Sequence, residues 1–132
     1  MVTTYYLDTS VAVHALNGGE SVESWFDSIA TSAEDVLVPS RLLQTELTRV
    51  LRRDGLPVRR REPILQSVGM SPVTEWLLTT AEAMTVDMKT LGAIHLATAL
   101  AFGSDVVVAT HDAALKTAVE AAGLQWIDPV VP

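Results

Sequence analysis

Tyr5-Tyr6-Leu7-Asp8-Thr9-Ser10-Val11-Ala12-Val13 places an apolar run, an aspartate and two hydroxyls in immediate succession. The β-branched and aromatic residues of Val2 to Leu7 predict a buried strand. Thr9 or Ser10 then predicts the N-cap of a helix through about Leu16. Asp8 therefore stands where a strand ends and a helix begins. In an open α/β sheet that is the crevice that takes ligands. Backbone N–H groups at the helix start also favour an anion or phosphate there. Taken alone, the stretch allows Asp8 two roles: a functional carboxylate at the crevice, or a cap for the helix.

Working outward, Gly18-Gly19 breaks the first helix, and Val22, Trp25, Phe26 and Ile29 recur at helical spacing over 21–30. Val36-Leu37-Val38, closed by Pro39, predicts a second strand. Ser40 is a good N-cap for a helix over 41–53, whose apolar stripe is Leu43, Leu47, Val50 and Leu51, with Asp54-Gly55 as its stop. Glu46 lies on or beside that stripe. A carboxylate facing a core is costly unless it is paired or binds a metal. It can pair with Arg49 or Arg53 at the stripe's edge, or it can belong to a site. Pro57 to Val68 is basic and helical in pattern, interrupted near its start by Pro63. Thr74 can cap a helix to about Met84, with Trp76, Leu77, Thr80, Ala81 and Met84 facing inward.

Met88 to Ala101 predicts a buried helix, with Leu91, Ile94, His95, Thr98 and Ala99 inward. Gly92 is its misfit, because a glycine inside a helix costs about 1 kcal/mol relative to alanine. His95, three residues on, is expected to be a hydrogen-bonded core residue. Val106-Val107-Val108-Ala109 is a continuous apolar run, as in a parallel strand buried on both faces. Thr110-His111-Asp112 ends it, a helix over 113–122 follows, and Gln125-Trp126-Ile127 suits an edge strand.

The 132 residues suit a single domain spanning 1–132, and with 48% hydrophobic residues the chain can bury a core. No apolar run approaches the roughly 20 residues that span a bilayer. The start lacks a signal peptide's basic and apolar regions, so a cytoplasmic location is expected. Cysteine is absent, which excludes disulfides, zinc–thiolate sites and thiol nucleophiles. A net charge of −7 argues against nucleic acid as a partner, but seven of the nine basic residues are arginines between 41 and 61. Arg41, Arg49, Arg52, Arg53, Arg59, Arg60 and Arg61 form either a solvated face that docks an acidic partner or a set of bidentate phosphate contacts.

Alternating strands and helices imply a parallel sheet with crossover helices. Asp8 and Asp112 each follow a strand and precede a helix, so both fall at the carboxyl edge of that sheet, and Glu46 can join them. Three carboxylates in one pocket repel unless a cation neutralises them. Oxygen-only ligands suit Mg²⁺ or Mn²⁺, which activate water and stabilise phosphoryl oxygens.

Four segments carry a resemblance: Leu7-Asp8-Thr9-Ser10, Thr45-Glu46-Leu47, Leu91-Gly92-Ala93-Ile94-His95-Leu96-Ala97-Thr98-Ala99 and Thr110-His111-Asp112. In this order the chain resembles PIN-domain proteins, and among them the VapC-type ribonuclease toxins of bacterial toxin–antitoxin pairs. The resemblance implies a three-layer α/β/α sandwich with a central parallel sheet. It also implies a Mg²⁺- or Mn²⁺-dependent endoribonuclease, a homodimer, and an antitoxin that covers the active site. The family's first acid maps to Asp8, its second to Glu46 and its last to Asp112. Its remaining acid maps to position 92, where this chain has glycine. The expectation is therefore a metal-dependent ribonuclease weakened or silenced at Gly92, with Arg49, Arg52, Arg53, Arg59, Arg60 and Arg61 toward RNA or antitoxin. The alternative is a catalytically silent PIN-fold module that binds RNA or an antitoxin. A haloacid-dehalogenase type of phosphotransfer ranks below both, because it wants a second carboxylate where this chain has Ser10.

Overall fold

The computed structural model describes residues 2–131; Met1 and Pro132, the ends of the expected domain, lie outside the described residues. The strands are β1 (Thr3–Leu7), β2 (Asp35–Pro39), β3 (Val107–Ala109) and β4 (Gln125–Ile127). They form a four-stranded sheet in the order β2-β1-β3-β4, and every pairing is parallel. The helices are α1 (Thr9–Leu16), α2 (Glu20–Ala30), α3 (Leu42–Arg53), α4 (Glu62–Gln66), α5 (Glu75–Glu82), α6 (Thr90–Ala101) and α7 (Ala113–Ala121).

Side chains alternate across a strand, and β1 uses this to build two cores. Leu7, with Tyr5 beside it, faces Val11, Val22, Leu43, Leu47 and Leu51 of α1 to α3. Tyr6 faces the other way, onto Leu96, Ala99, Leu115 and Val119 of α6 and α7. Two cores on opposite faces of one sheet make the three-layer α/β/α sandwich expected from the alternating pattern. Among the described residues no helix is long and apolar enough to cross a membrane.

Several local expectations change. Trp76 was expected inward but is 62% exposed, and Leu91 is 47% exposed. α5 turns Leu77 into the protein, which leaves its neighbour Trp76 about 100° round the helix and in solvent. α6 starts at Thr90 with Lys89 as N-cap, two residues later than predicted. Leu91 is thus in the open first turn. Gly92 occupies the third helical position rather than the interior, where its conformational cost is smaller. Pro63 does not interrupt a helix. A 3₁₀ turn (Val58–Arg61) hands over to α4, whose first turn contains Pro63, and there a missing N–H breaks no bond. Val36 is 44% exposed because β2 is an edge strand, which also tolerates Pro39.

Candidate active site

Parallel strands bring the ends of β1 and β3 to one edge of the sheet. Leu7 pairs with Ala109, so Asp8 and Thr110 are neighbours. Asp8 is 5% exposed. By position it is the N-cap of α1, yet its side chain makes no capping bond. Instead Oδ2 accepts from Ser10 Oγ (2.6 Å) and from Thr110 Oγ1 (2.8 Å). The same hydroxyls tie the strand ends together: Ser10 Oγ accepts from the His111 N–H and Thr110 Oγ1 from the Asp112 N–H. The Asp8 carboxylate therefore does not cap the backbone of α1 and is held by two hydroxyls instead.

Glu46, in the second turn of α3, reaches the same place. Its Oε1 accepts from Thr9 Oγ1 (2.9 Å) and from His95 Nε2 (2.7 Å). Pairing with Arg49 or Arg53 does not occur: Arg53 is bonded to Asp54. His95 Nε2 also lies 3.5 Å from Asp8 Oδ1. One N–H thus stands between carboxylates from two elements. On its far side, His95 Nδ1 is 2.6 Å from Tyr6 Oη. Burial opposes a charge on this ring, but the Glu46 hydrogen bond and the charges of Asp8, Glu46 and Asp112 outweigh it, and its pKa is raised above the usual histidine value.

Asp112 has a different local task. Its Oδ1 accepts from the Ala114 and Leu115 N–H groups, capping α7, and the residue is exposed. Among the described residues no three His, Cys, Asp or Glu side chains gather as a metal cluster. Asp8 and Glu46 converge, Asp112 flanks them, and Gly92 supplies no donor. The chemistry still suits a hard divalent cation. Mg²⁺ needs only one or two carboxylates and keeps several waters, and these two oxygens already turn toward one positive hydrogen.

His95 is the hydrogen-bonded core residue expected from the sequence; what that expectation left out is its place beside Asp8 and Glu46. It is buried, but among carboxylates. A signal was present: Asp8 continues the extended backbone of β1 two residues after Tyr6, whose face α6 covers.

A second polar cluster adjoins the site. Asp128 Oδ2 accepts from Lys116 Nζ (2.6 Å) and from His111 Nδ1 (2.8 Å), while Lys116 Nζ lies 4.5 Å from the Trp126 ring centre. Burial would raise the Asp128 pKa, but the Lys116 and His111 bonds outweigh it and hold it below the usual value. A depressed carboxyl pKa stabilises the fold above the unfolded value of 3.8 and fades as pH falls through the folded one. Asp128→Asn is expected to lose roughly 1–3 kcal/mol at pH 7. Thermal melts should show the gap to the parent narrowing below about pH 3.8. A gap that stays constant into acid would place the stabilisation outside this charge.

The arginines divide. Arg61 is half-buried, donating to Thr48 Oγ1 and pairing with Glu62, and Arg60 reaches the Leu16 carbonyl. Arg49, Arg52 and Arg59 are exposed.

A parallel sheet between helical layers, with carboxylates and hydroxyls meeting at its carboxyl edge, defines an α/β protein with an acidic site where ligands bind in such sheets. The chain belongs to the PIN domain family, whose profile matches residues 5–120. VapBC2 from Rickettsia felis, solved bound to a DNA fragment from its promoter, is similar in fold: TM-score 0.76 at 12% identity, covering 96% of this chain and 98% of that one. FitAB bound to an IR36 DNA fragment is also similar, with TM-score 0.67 at 21% identity, covering 97% and 96%. No curated protein matches the chain.

Proposed function

We propose that the protein is a Mg²⁺- or Mn²⁺-dependent endoribonuclease of the VapC type, the toxin of a toxin–antitoxin pair, weakened at Gly92. The observation that carries this reading is the convergence of Asp8 and Glu46, from β1 and α3, on one point at the sheet edge. Membership of the PIN family and the fold likeness to VapBC2 and FitAB support it. Asp8 and Glu46 would hold the cation, and Asp112 would act through water because its Oδ1 is committed to α7. When bound, the cation would activate water and offset charge on the phosphodiester oxygens. Ser10 and Thr110 fix the Asp8 carboxylate by donating to Oδ2, and Thr9 fixes Glu46. The partners of this reading are an RNA substrate, an antitoxin that covers the site, and a second copy of the chain.

The test is cleavage of structured RNA with Mg²⁺, with Mn²⁺ and with EDTA, by the parent and by Gly92→Asp. EDTA-sensitive cleavage supports the reading. If neither protein cuts, the silent module that binds RNA or an antitoxin moves ahead, and the gap at position 92 already favours it over other rivals.

The exposed arginines give this reading a second measurable consequence. Replacing Arg59, Arg60 and Arg61 with Gln is expected to weaken RNA binding and to flatten its salt dependence by up to about one unit of slope per lost phosphate contact. Arg61 is already bonded to Thr48, so most of the change should come from Arg59 and Arg60. Fluorescence titrations at several salt concentrations measure it. An unchanged slope would leave the cluster a solvated face.

A further inference from the structure

We propose that His95 is a positioning residue for the candidate cation site, holding Glu46 toward Asp8 through a donor that Tyr6 locks in place. The proposal rests on the reading of Asp8 and Glu46 as cation-holding residues.

The geometry has three parts. Tyr6 Oη and His95 Nδ1 are 2.6 Å apart, and both residues are almost fully buried. The Thr98 and Ser40 hydroxyls lie beside Tyr6 Oη and are themselves at 0% exposure. At the other end of the ring, Nε2 meets Glu46 Oε1 at 2.7 Å and Asp8 Oδ1 at 3.5 Å. Tyr6 Oη donates to a bare Nδ1 and accepts from a protonated one. In the neutral ring with a bare Nδ1 and in the protonated ring alike, Nε2 carries the proton that faces Glu46. The ring therefore presents the same donor to the same oxygen whatever its charge.

This has a use. Glu46 is a long side chain whose carboxylate is held at Oε1 by Thr9 and His95. Two carboxylates that approach each other would otherwise swing apart. Hydrogen bonds to ligating carboxylates orient them, and removing such a partner typically costs about 10- to 100-fold in metal affinity. The ring is 3% exposed and bonded at both nitrogens, which limits how far it can follow Glu46 outward.

The experiment is calorimetric titration of Mn²⁺ into the parent, Asp8→Asn, His95→Leu, His95→Gln and Tyr6→Phe, each checked by melting. His95→Leu is expected to bind Mn²⁺ about 10- to 100-fold more weakly. His95→Gln, which can still donate, should recover part of the loss, and Tyr6→Phe should show a smaller loss in the same direction. Nitrogen NMR of the labelled apo protein, recorded above the ring's titration, should show His95 protonated at Nε2, with the preference relaxed in Tyr6→Phe. If Asp8→Asn weakens Mn²⁺ binding while His95→Leu and Tyr6→Phe bind as tightly as the parent or tighter, the positioning role is wrong and the cation site stands. If Asp8→Asn leaves affinity unchanged, the cation site fails and takes the proposal with it. Should His95→Leu not fold, Tyr6→Phe and the NMR tautomer decide between the same outcomes.

Discussion

Gly92→Asp is expected to raise RNA cleavage by about 10²- to 10³-fold, the range for restoring one electrostatic group at a reacting centre. The structure makes the change easy to accommodate. Position 92 is the third residue of α6, and the first turn of that helix has no acidic residue. An aspartate there is favoured by the helix dipole and replaces the poorest helix former after proline. A Cβ at 92 would meet one atom closely, the Met88 Cε at 2.9 Å. That is the end of a flexible side chain, which can turn aside. His95 lies three residues on, about 60° from position 92 in helical projection, and its ring reaches Glu46 and Asp8. The added carboxylate therefore starts one turn from the site, on a similar face of the same helix. Cleavage assays with Mg²⁺, Mn²⁺ and EDTA measure the gain. A folded Gly92→Asp protein that binds Mn²⁺ and cuts no RNA would remove the ribonuclease reading and leave the silent binding module in its place.

The sheet was readable because it rests on short-range pattern. Val106 to Ala109 has no polar interruption, as a strand covered on both faces requires, and Asp8 falls directly after a run of the same kind. The helix over 41–53 was readable because Leu43, Leu47 and Leu51 keep one face. What the pattern could not resolve was how individual side chains spend their hydrogen bonds. Asp8 and Asp112 occupy the same topological position, a strand end before a helix, yet one carboxylate is held by two hydroxyls and the other caps α7. The difference lies in Ser10 and Thr110, hydroxyls that are 100 residues apart in the chain and meet at Asp8. His95 is the buried, hydrogen-bonded residue its helix predicts, but its partners were hidden for the same reason. Its helical face correctly indicated burial, but its neighbours there come from β1 and α3, which periodicity within one helix does not report. Trp76 shows the converse failure: size and apolarity suggested the core, whereas the position beside Leu77 on a short helix puts it in solvent.

Asp8→Asn is expected to abolish the stabilisation of the protein by Mn²⁺ while leaving the metal-free fold intact. The fold should survive because asparagine keeps the shape and can still accept from Ser10 and Thr110, the second of which links the end of β1 to the end of β3. It also removes a charge that repels Glu46 across His95, so the metal-free variant should melt at or slightly above the parent. The response to metal is what changes. A ligand that binds only the folded state at about 100 times its Kd adds about 2.7 kcal/mol. The parent, and more so Gly92→Asp, should therefore show a rise in Tm with increasing Mn²⁺. Asp8→Asn, alone or combined with Gly92→Asp, should show little or none, because a neutral amide is a far poorer partner for a hard divalent cation than a carboxylate. Asp128→Asn serves as the control, since it removes a neighbouring carboxylate that is bonded to Lys116 and His111 rather than to this site. A Tm that rises equally in Asp8→Asn and the parent would mean that Mn²⁺ binds elsewhere, and Asp8 would return to being a buried link between two strand ends.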